Sequence, residues 1–254
     1  MSVQAIITGL NGTVAPVVAN YFASQHVAIT PWDRRYVATE DLVEMSAFLD
    51  QIRPDWFLHI ATGPPAWAEA VAQLCAQRHI RFLFTSSVSV FAAPPHGPYS
   101  PQQPPNADDD YGRYKRECEQ RVRQANPHAI IARLGWQIGL TPHGNHMVAH
   151  LHKTQQEQGH IAASQKWYPS CAFLVDTAAN LYDLMTTAPT NSLHHLEGNP
   201  GLTYFDIVTQ LNQLLGSPWT VTPTNDPQLD NRLTDDNQII RPLTQHFSPK
   251  NSPS

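Results

Sequence analysis

Val3-Gln-Ala-Ile-Ile-Thr8 runs straight into Gly9-Leu-Asn-Gly12-Thr-Val-Ala15, and Val17 to Phe22 then takes up helical spacing. The first segment is short, apolar and β-branched, as a buried strand is, so the whole reads as strand, glycine turn, helix. In the pattern G-x-x-G-x-x-A, Gly9 permits the tight turn and Gly12 lets the backbone approach a pyrophosphate. The small Ala15 lets the helix lie close to the strand. Free N–H groups at the helix start would face the phosphates. Gly9, Leu10, Asn11, Gly12, Thr13 and Val14 are therefore candidate dinucleotide ligands. Pro16 fits the first helical turn, where the missing N–H costs nothing. Such turns also join strands and helices that bind nothing, and its place on the first strand is what makes this one informative.

The units that follow repeat the alternation. His26 to Trp32 reads as a second strand, Asp41 to Ile52 as a helix, and Trp56 to Ala61 as a continuous apolar run suited to a doubly covered parallel strand. Ala66 to Gln77 reads as a helix and Arg81 to Phe84 as another buried strand. This order predicts an α/β protein with a Rossmann-type, doubly wound parallel sheet. After the second strand come Asp33, Arg34 and Arg35. A carboxylate there would accept from a ribose 2'-hydroxyl and arginines would hold a 2'-phosphate, so two guanidiniums beside one carboxylate favour NADP(H) while leaving NAD(H) open. An ordinary charged turn would carry the same letters.

Two further segments carry chemistry. In Tyr111-Gly-Arg-Tyr-Lys115, residues four apart share a helix face, so Tyr111 and Lys115 point into one place and Tyr114 does not. A nearby ammonium favours phenolate, which predicts a lowered pKa for Tyr111 and a phenol able to protonate a carbonyl oxygen. A packed tyrosine beside a solvated lysine is the plainer alternative. Upstream, Thr85-Ser-Ser87-Val-Ser-Val-Phe91 puts hydroxyls at a strand's carboxyl end, where open α/β sheets bind ligands. Ser87 could orient the carbonyl beside Tyr111, or the cluster could simply cap a turn.

The bulk properties exclude several classes. With 254 residues and 41% hydrophobic content the chain can bury a full core. A formal charge of -5 with scattered Lys and Arg offers no nucleic-acid surface. Cys75, Cys118 and Cys171 are far apart and odd in number, which fits reduced thiols in a cytoplasmic protein. No run approaches the roughly 20 apolar residues of a membrane span, so a soluble, unexported protein is expected.

Taken in order, these residues resemble the extended short-chain dehydrogenase/reductases, most closely the dTDP-4-dehydrorhamnose reductase group. The matching residues are Gly9-Leu-Asn-Gly12-Thr-Val-Ala15, Arg53-Pro54-Asp55 before the fourth strand, Thr85 to Phe91, Pro98-Tyr99, Tyr111 to Lys115 with Glu119, and Arg133-Leu-Gly-Trp136. The resemblance implies a keto group on a nucleotide-linked sugar as substrate. It implies Tyr111 as proton donor, Lys115 as its pKa modifier and ribose ligand, and Ser87 as the hydroxyl beside the carbonyl. Ala61 joins the cofactor ligands, and Ser89, Trp136 and Asn145 fall on the substrate side. Tyr168-Pro-Ser170 with Asp176, and Asn231-Arg232-Leu233, are weaker echoes of the substrate lobe. The chain departs from the family at His59-Ile-Ala61, where Asn-Ala-Ala is usual, and in the short Thr62-Gly-Pro-Pro65 connection. It also departs at Ala38, in place of an acidic residue after the third strand, and at Ser89, in place of tyrosine.

The expected organisation is a dinucleotide-binding domain over residues 1–142, with 165–190 returning to it, and a small α/β substrate lobe from 143–164 and 191–246. Residues 247–254 are expected to form a flexible tail. In the later chain, Ala129 to Arg133 and His194 to Leu196 read as strands, and Asn145 to Gln158, Phe173 to Met185 and Tyr204 to Leu215 as helices. His146 and His150 have a metal-ligand spacing but no clear third ligand, so no metal is expected. Asp235, Asp236 and Asn237 are expected to flank a last short helix. The expected partner is a small molecule, with homodimer formation left open. Two alternatives stand beside the reductase: an epimerase or dehydratase that recycles its cofactor, and a catalytically silent dinucleotide-binding regulator.

Overall fold

The computed structural model describes residues 3–92, 97–236 and 240–247. Strand β1 (Gln4–Ile7) leads through the glycine turn to helix α1 (Val14–Ser24), then β2 (Ala28–Pro31), α2 (Leu42–Ile52), β3 (Trp56–His59), α3 (Pro65–Gln77) and β4 (Arg81–Ser87). A short 3-10 turn (Val88–Val90) precedes α4 (Asp110–Ala125), β5 (Ile130–Leu134) and β6 (Trp136–Ile138). Then follow α5 (Met147–Gln158), β7 (Ile161–Ser164), β8 (Trp167–Tyr168), β9 (Cys171–Phe173), α6 (Leu174–Thr187) and β10 (Ser192–Leu196). The chain closes with α7 (Tyr204–Leu214), β11 (Val221–Thr224), β12 (Leu229–Asp230) and α8 (Thr244–Phe247).

Six strands form one sheet in the order β2-β1-β3-β4-β5-β10, every neighbouring pair parallel. Alternation along each strand assigns its side chains to two faces. Ile7, Leu58, Leu83 and Ile130 pack with Phe22 of α1 and Leu181 of α6. Ile6, Phe57, Phe82 and Ile131 pack on the other face with Met45, Val71 and Val122 from α2, α3 and α4. Both faces are covered, which is why these strands read as unbroken apolar runs. Pro31 is tolerated because β2 is an edge strand.

Three expectations about order and boundaries change. The resemblance places a third strand before Ala38 and a fourth after Arg53-Pro54-Asp55, but no strand lies between β2 and α2, so the Trp56–His59 strand is the third of the chain. Ser192–Leu196, expected in the lobe, pairs with β5 and forms the sheet's outer edge. Among the described residues no helix adjoins Asp235 and Asp236; the Asp235 carboxylate accepts from the His195 amide at 3.1 Å and faces His194 Nδ1 at 3.5 Å. Asn237 and residues 248–254 of the expected tail lie outside the described residues.

The lobe has its own core, in which Met147 and Leu151 of α5 meet Ile207 and Leu211 of α7, with Phe173 and Trp219. Its sheets are two-stranded: β6 with β9, β7 with β11 and β8 with β12. His146 caps α5, its Nδ1 accepting from the Ala149 amide at 3.3 Å, and His150 lies edge-on to Trp136 at 5.5 Å. Among the described residues no cluster of His, Cys, Asp or Glu could hold a metal, and no helix is long and apolar enough to cross a membrane.

Candidate active site

The sheet order reverses between β1 and β3, because the chain goes outward to β2 and then returns to the other side of β1. Such a switch point leaves a crevice at the strands' carboxyl ends. Buried Thr8 binds the two strand ends together: its Oγ1 accepts from the amides of Ile60 and Ala61 at 2.9 and 3.0 Å. Gly9 has φ +86°, and a Cβ there would stand 3.0 Å from the Ala61 backbone. Only glycine combines that conformation with that closeness. Thr13, at the start of α1, makes no side-chain cap, so the first-turn amides of α1 keep their donors for a ligand.

A cleft of about 940 Å³ runs from this turn across the sheet edge to the lobe. The residues assigned in the sequence to cofactor, catalysis and the substrate side line it: residues 9–14, Asp33, Arg34, Ala61, Ser87, Ser89, Tyr111, Lys115, Trp136 and Asn145; of the weaker echoes Ser170 and Asn231 line it, and Tyr168, Arg232 and Leu233 do not. Two groups from distant parts of the chain meet where turn and lobe touch, as the Asn145 amide donates to Thr13 Oγ1 at 3.0 Å. Asp176 is not part of the cleft; its carboxylate faces His246 Nε2 at 2.5 Å.

Helix α4 brings the tyrosine and lysine to the cleft. Asp109 caps it by accepting from the Gly112 amide at 2.9 Å. A Cβ on Gly112 would lie 2.4 Å from both Ala107 Cβ and the Ser89 carbonyl, so glycine lets the helix press against the turn that carries Ser87 and Ser89. Ser87 accepts from the Ser89 amide at 3.1 Å and donates to Ser89 Oγ at 3.1 Å, so it caps the turn and faces the cleft at once. Lys115 is 3% exposed, with its ammonium donating to the Thr85 carbonyl at 3.0 Å and lying 5.0 Å from the Phe84 ring centre.

The electrostatics correct one expectation. The Tyr111 pKa is raised rather than lowered: burial of the phenol outweighs its hydrogen bond with Ser87. Lys115 does not pull it down because its ammonium is spent on Thr85 and is itself disfavoured, burial lowering its pKa to about 8. Tyr111 is therefore a protonated phenol at neutral pH, and the residue is about half exposed.

At the other end, Arg35 grips Asp33 through Nε at 3.0 Å and Nη2 at 2.6 Å. Arg34 instead donates to the Thr62 carbonyl and lies 4.6 Å over the Trp67 ring. The short connection after Ala61 is held from below, where the Gly63 amide donates to Tyr114 Oη at 3.1 Å. Tyr114 is thus turned away from the cleft and serves this anchor. His59 is buried against Trp67 at 4.5 Å, and burial lowers its pKa to about 3, so it is a neutral packing group.

Sequence reading missed Trp167 and Gln137, which also line the cleft. Trp136 stacks with Trp167 and Tyr204 at 6.3 and 6.2 Å, and Trp167 Nε1 donates to Asn231 Oδ1 at 2.9 Å. The signal for Trp167 was its place beside Tyr168-Pro-Ser170.

A glycine turn at a sheet switch point with serine, tyrosine and lysine converging at the neighbouring strand end defines a short-chain dehydrogenase/reductase framework of the extended kind. Within it, the chain belongs to the family of the RmlD substrate binding domain, whose model matches residues 66–233. Comparison with curated protein sequences finds no match. Among solved structures, dTDP-4-dehydrorhamnose reductase from Bacillus anthracis, in complex with NADP, is similar at 18% identity with a TM-score of 0.83, covering 97% of each chain. The enzyme of the same name from Yersinia enterocolitica matches at 19% identity and TM-score 0.77, covering 96% of each. UDP-glucose 4-epimerase from Thermotoga maritima, with UDP-glucose, matches at 13% identity and TM-score 0.72 over 92% of this chain and 89% of that one.

Proposed function

We propose that this protein is an NADPH-dependent reductase of a keto group on a nucleotide-linked sugar, akin to dTDP-4-dehydrorhamnose reductase. The observation that carries the reading is the convergence of Ser87, Tyr111 and Lys115 on the same cleft as the glycine turn. A dinucleotide fits the residues present, since the uncapped start of α1 and the Gly9 turn form a backbone cradle for its pyrophosphate. When bound, it would supply the hydride. The chain's own part is to hold the carbonyl oxygen between the Ser87 hydroxyl and the Tyr111 phenol, to give it the Tyr111 proton, and to keep a cation close by on Lys115.

NADPH is favoured over NADH by the turn after β2. With Asp33 engaged by Arg35, little of its carboxylate is left for a ribose hydroxyl, while the Arg34 guanidinium lies at the cleft without a carboxylate partner among the described residues. The aromatic floor of Trp136 and Trp167 suits the faces of a sugar or base. An epimerase or dehydratase has less support. Among the described residues, the ionisable ones lining the cleft apart from Tyr111 and Lys115 are Asp33, Arg34 and Arg35, all at the far end. A silent binder has less support too, because Thr62 lines the cleft while Gly63 to Pro65 stay out of it.

The test is NADPH consumption with a panel of nucleotide-linked keto sugars. Turnover with at least one of them is expected. Tight NADPH binding with no consumption across the panel would replace the reductase with the regulator.

A further inference from the structure

Glu197 carries no role in the chemistry above, yet it sits at the junction of sheet and lobe. It follows β10, the edge strand of the central sheet, by one residue. Its Oε1 accepts from the Asn199 amide at 2.7 Å and the Cys171 amide at 3.2 Å, and its Oε2 accepts from the Leu233 amide at 2.8 Å. One side chain thus satisfies a backbone donor on its own turn and backbone donors on two segments remote from it in sequence. Glu197 does not line the cleft, so it is no acid or base for substrate.

Those two segments lead directly into the cleft wall. Cys171 follows Pro169 and Ser170, and Leu233 follows Asn231 by two residues; Pro169, Ser170 and Asn231 all line the cleft. Neighbouring bonds reinforce the junction. The buried Asn199 donates to the carbonyls of Pro169 and Leu202 at 2.9 and 2.8 Å, and the Gly198 amide donates to the Cys171 carbonyl at 3.0 Å. Asn231, in turn, orients Trp167 through the indole bond. The strands of this region, β8 and β12, have two residues each, too few for their own ladder bonds to fix them.

We propose that Glu197 is a positioning residue for the substrate side of the cleft, tying the segments that present Ser170 and Asn231 to the edge of the central sheet. The proposal rests on the reading that this side of the cleft binds the nucleotide sugar. It distinguishes the lobe from the dinucleotide end, which Glu197 does not touch.

The experiment compares wild type with Glu197→Gln, which replaces one acceptor oxygen by a donor, and with Glu197→Asp, which keeps the charge on a shorter arm. KM for the keto sugar that wild type reduces, kcat, and the NADPH dissociation constant are measured together with amide hydrogen exchange. The expected result for Glu197→Gln is a KM raised about tenfold, the loss of one charged hydrogen bond, with kcat and NADPH affinity within about threefold. Exchange should rise at 170–171 and 231–233 but not along β1, β3 and β4. Unchanged KM with unchanged exchange, or a parallel loss of NADPH affinity and protection throughout, overturns the proposal. Should Glu197→Gln not fold, Glu197→Asp takes the same readouts with the same expected pattern. If wild type reduces no sugar, the function reading fails, and the exchange pattern alone upholds or overturns the junction.

Discussion

Along the sheet edge, the cleft is walled by Gly9, Ala61 and Ser87, which end or follow strands paired on both sides in a six-stranded ladder. Along the lobe, it is walled by Trp136, Trp167, Ser170 and Asn231, which lie on or beside strands of two or three residues. The sheet wall is held by backbone bonds and a two-faced apolar core. The lobe wall is held by side chains: Asn231 on Trp167, Glu197 on three amides, Asn199 on Pro169. A wall made of ladders fixes its residues through backbone pairing, whereas a wall made of side-chain ties depends on a few individual side chains.

The sharpest way to break this comparison is at the reacting groups. Tyr111→Phe should lower kcat by about 10²–10⁴, the usual share of a general acid, while NADPH affinity stays nearly constant; steady-state kinetics with a cofactor titration decide it. Unchanged turnover would reject the assignment of Tyr111. Next comes the sheet's own rigidity. Glu119 on α4 and Arg133 on β5 form a buried pair at 2.8 Å, with Arg133 also 3.2 Å from His195 Nε2. Removing the carboxylate with Glu119→Ala should cost about 3–5 kcal/mol in urea unfolding, because it leaves a buried guanidinium unpaired. A loss confined to a few tenths would mean the sheet does not depend on it.

Smaller effects sharpen the picture. Burial lowers the Lys115 pKa to about 8 from 10.5. In the free protein its ammonium is therefore lost as pH rises through about 8, and NADPH affinity should decline there toward the level of Lys115→Ala, a variant whose own profile stays flat. Stability moves the other way. The unfolded chain binds more protons than the folded one between about 8 and 10.5, so this group's contribution to stability rises with pH across that window. The smallest effect is expected from Arg34→Ala, with NADPH affinity falling about tenfold and NADH affinity changing little, as for one charged contact to a phosphate. Equal losses for both dinucleotides would remove the argument for a 2'-phosphate site.

The same contrast explains what the sequence could disclose. Apolar runs and glycine spacing are local signals, so β1, the turn, α1 and the Tyr111-Lys115 face were legible, and with them one whole wall of the cleft. Trp136 and Asn145 were legible only through the family resemblance. The pairings of β8 with β12 and of β6 with β9 join residues far apart with no periodic pattern of their own. For the same reason Ser192–Leu196 looked like a lobe fragment: its partner, β5, precedes it by a long excursion through the lobe. The direction of the Tyr111 shift depended on where the Lys115 ammonium points, and helical spacing fixes the face a residue occupies, not the partner its long side chain finds.

The central claim is that a nicotinamide dinucleotide lies over the Gly9 turn with its reacting end near Tyr111. The most direct measurement is an equilibrium titration of the protein with NADPH, run in parallel on Gly12→Val, which would fill the space where backbone meets pyrophosphate. Saturable one-to-one binding by wild type and its loss in the variant are predicted. No binding by wild type, or undiminished binding by Gly12→Val, would contradict the account.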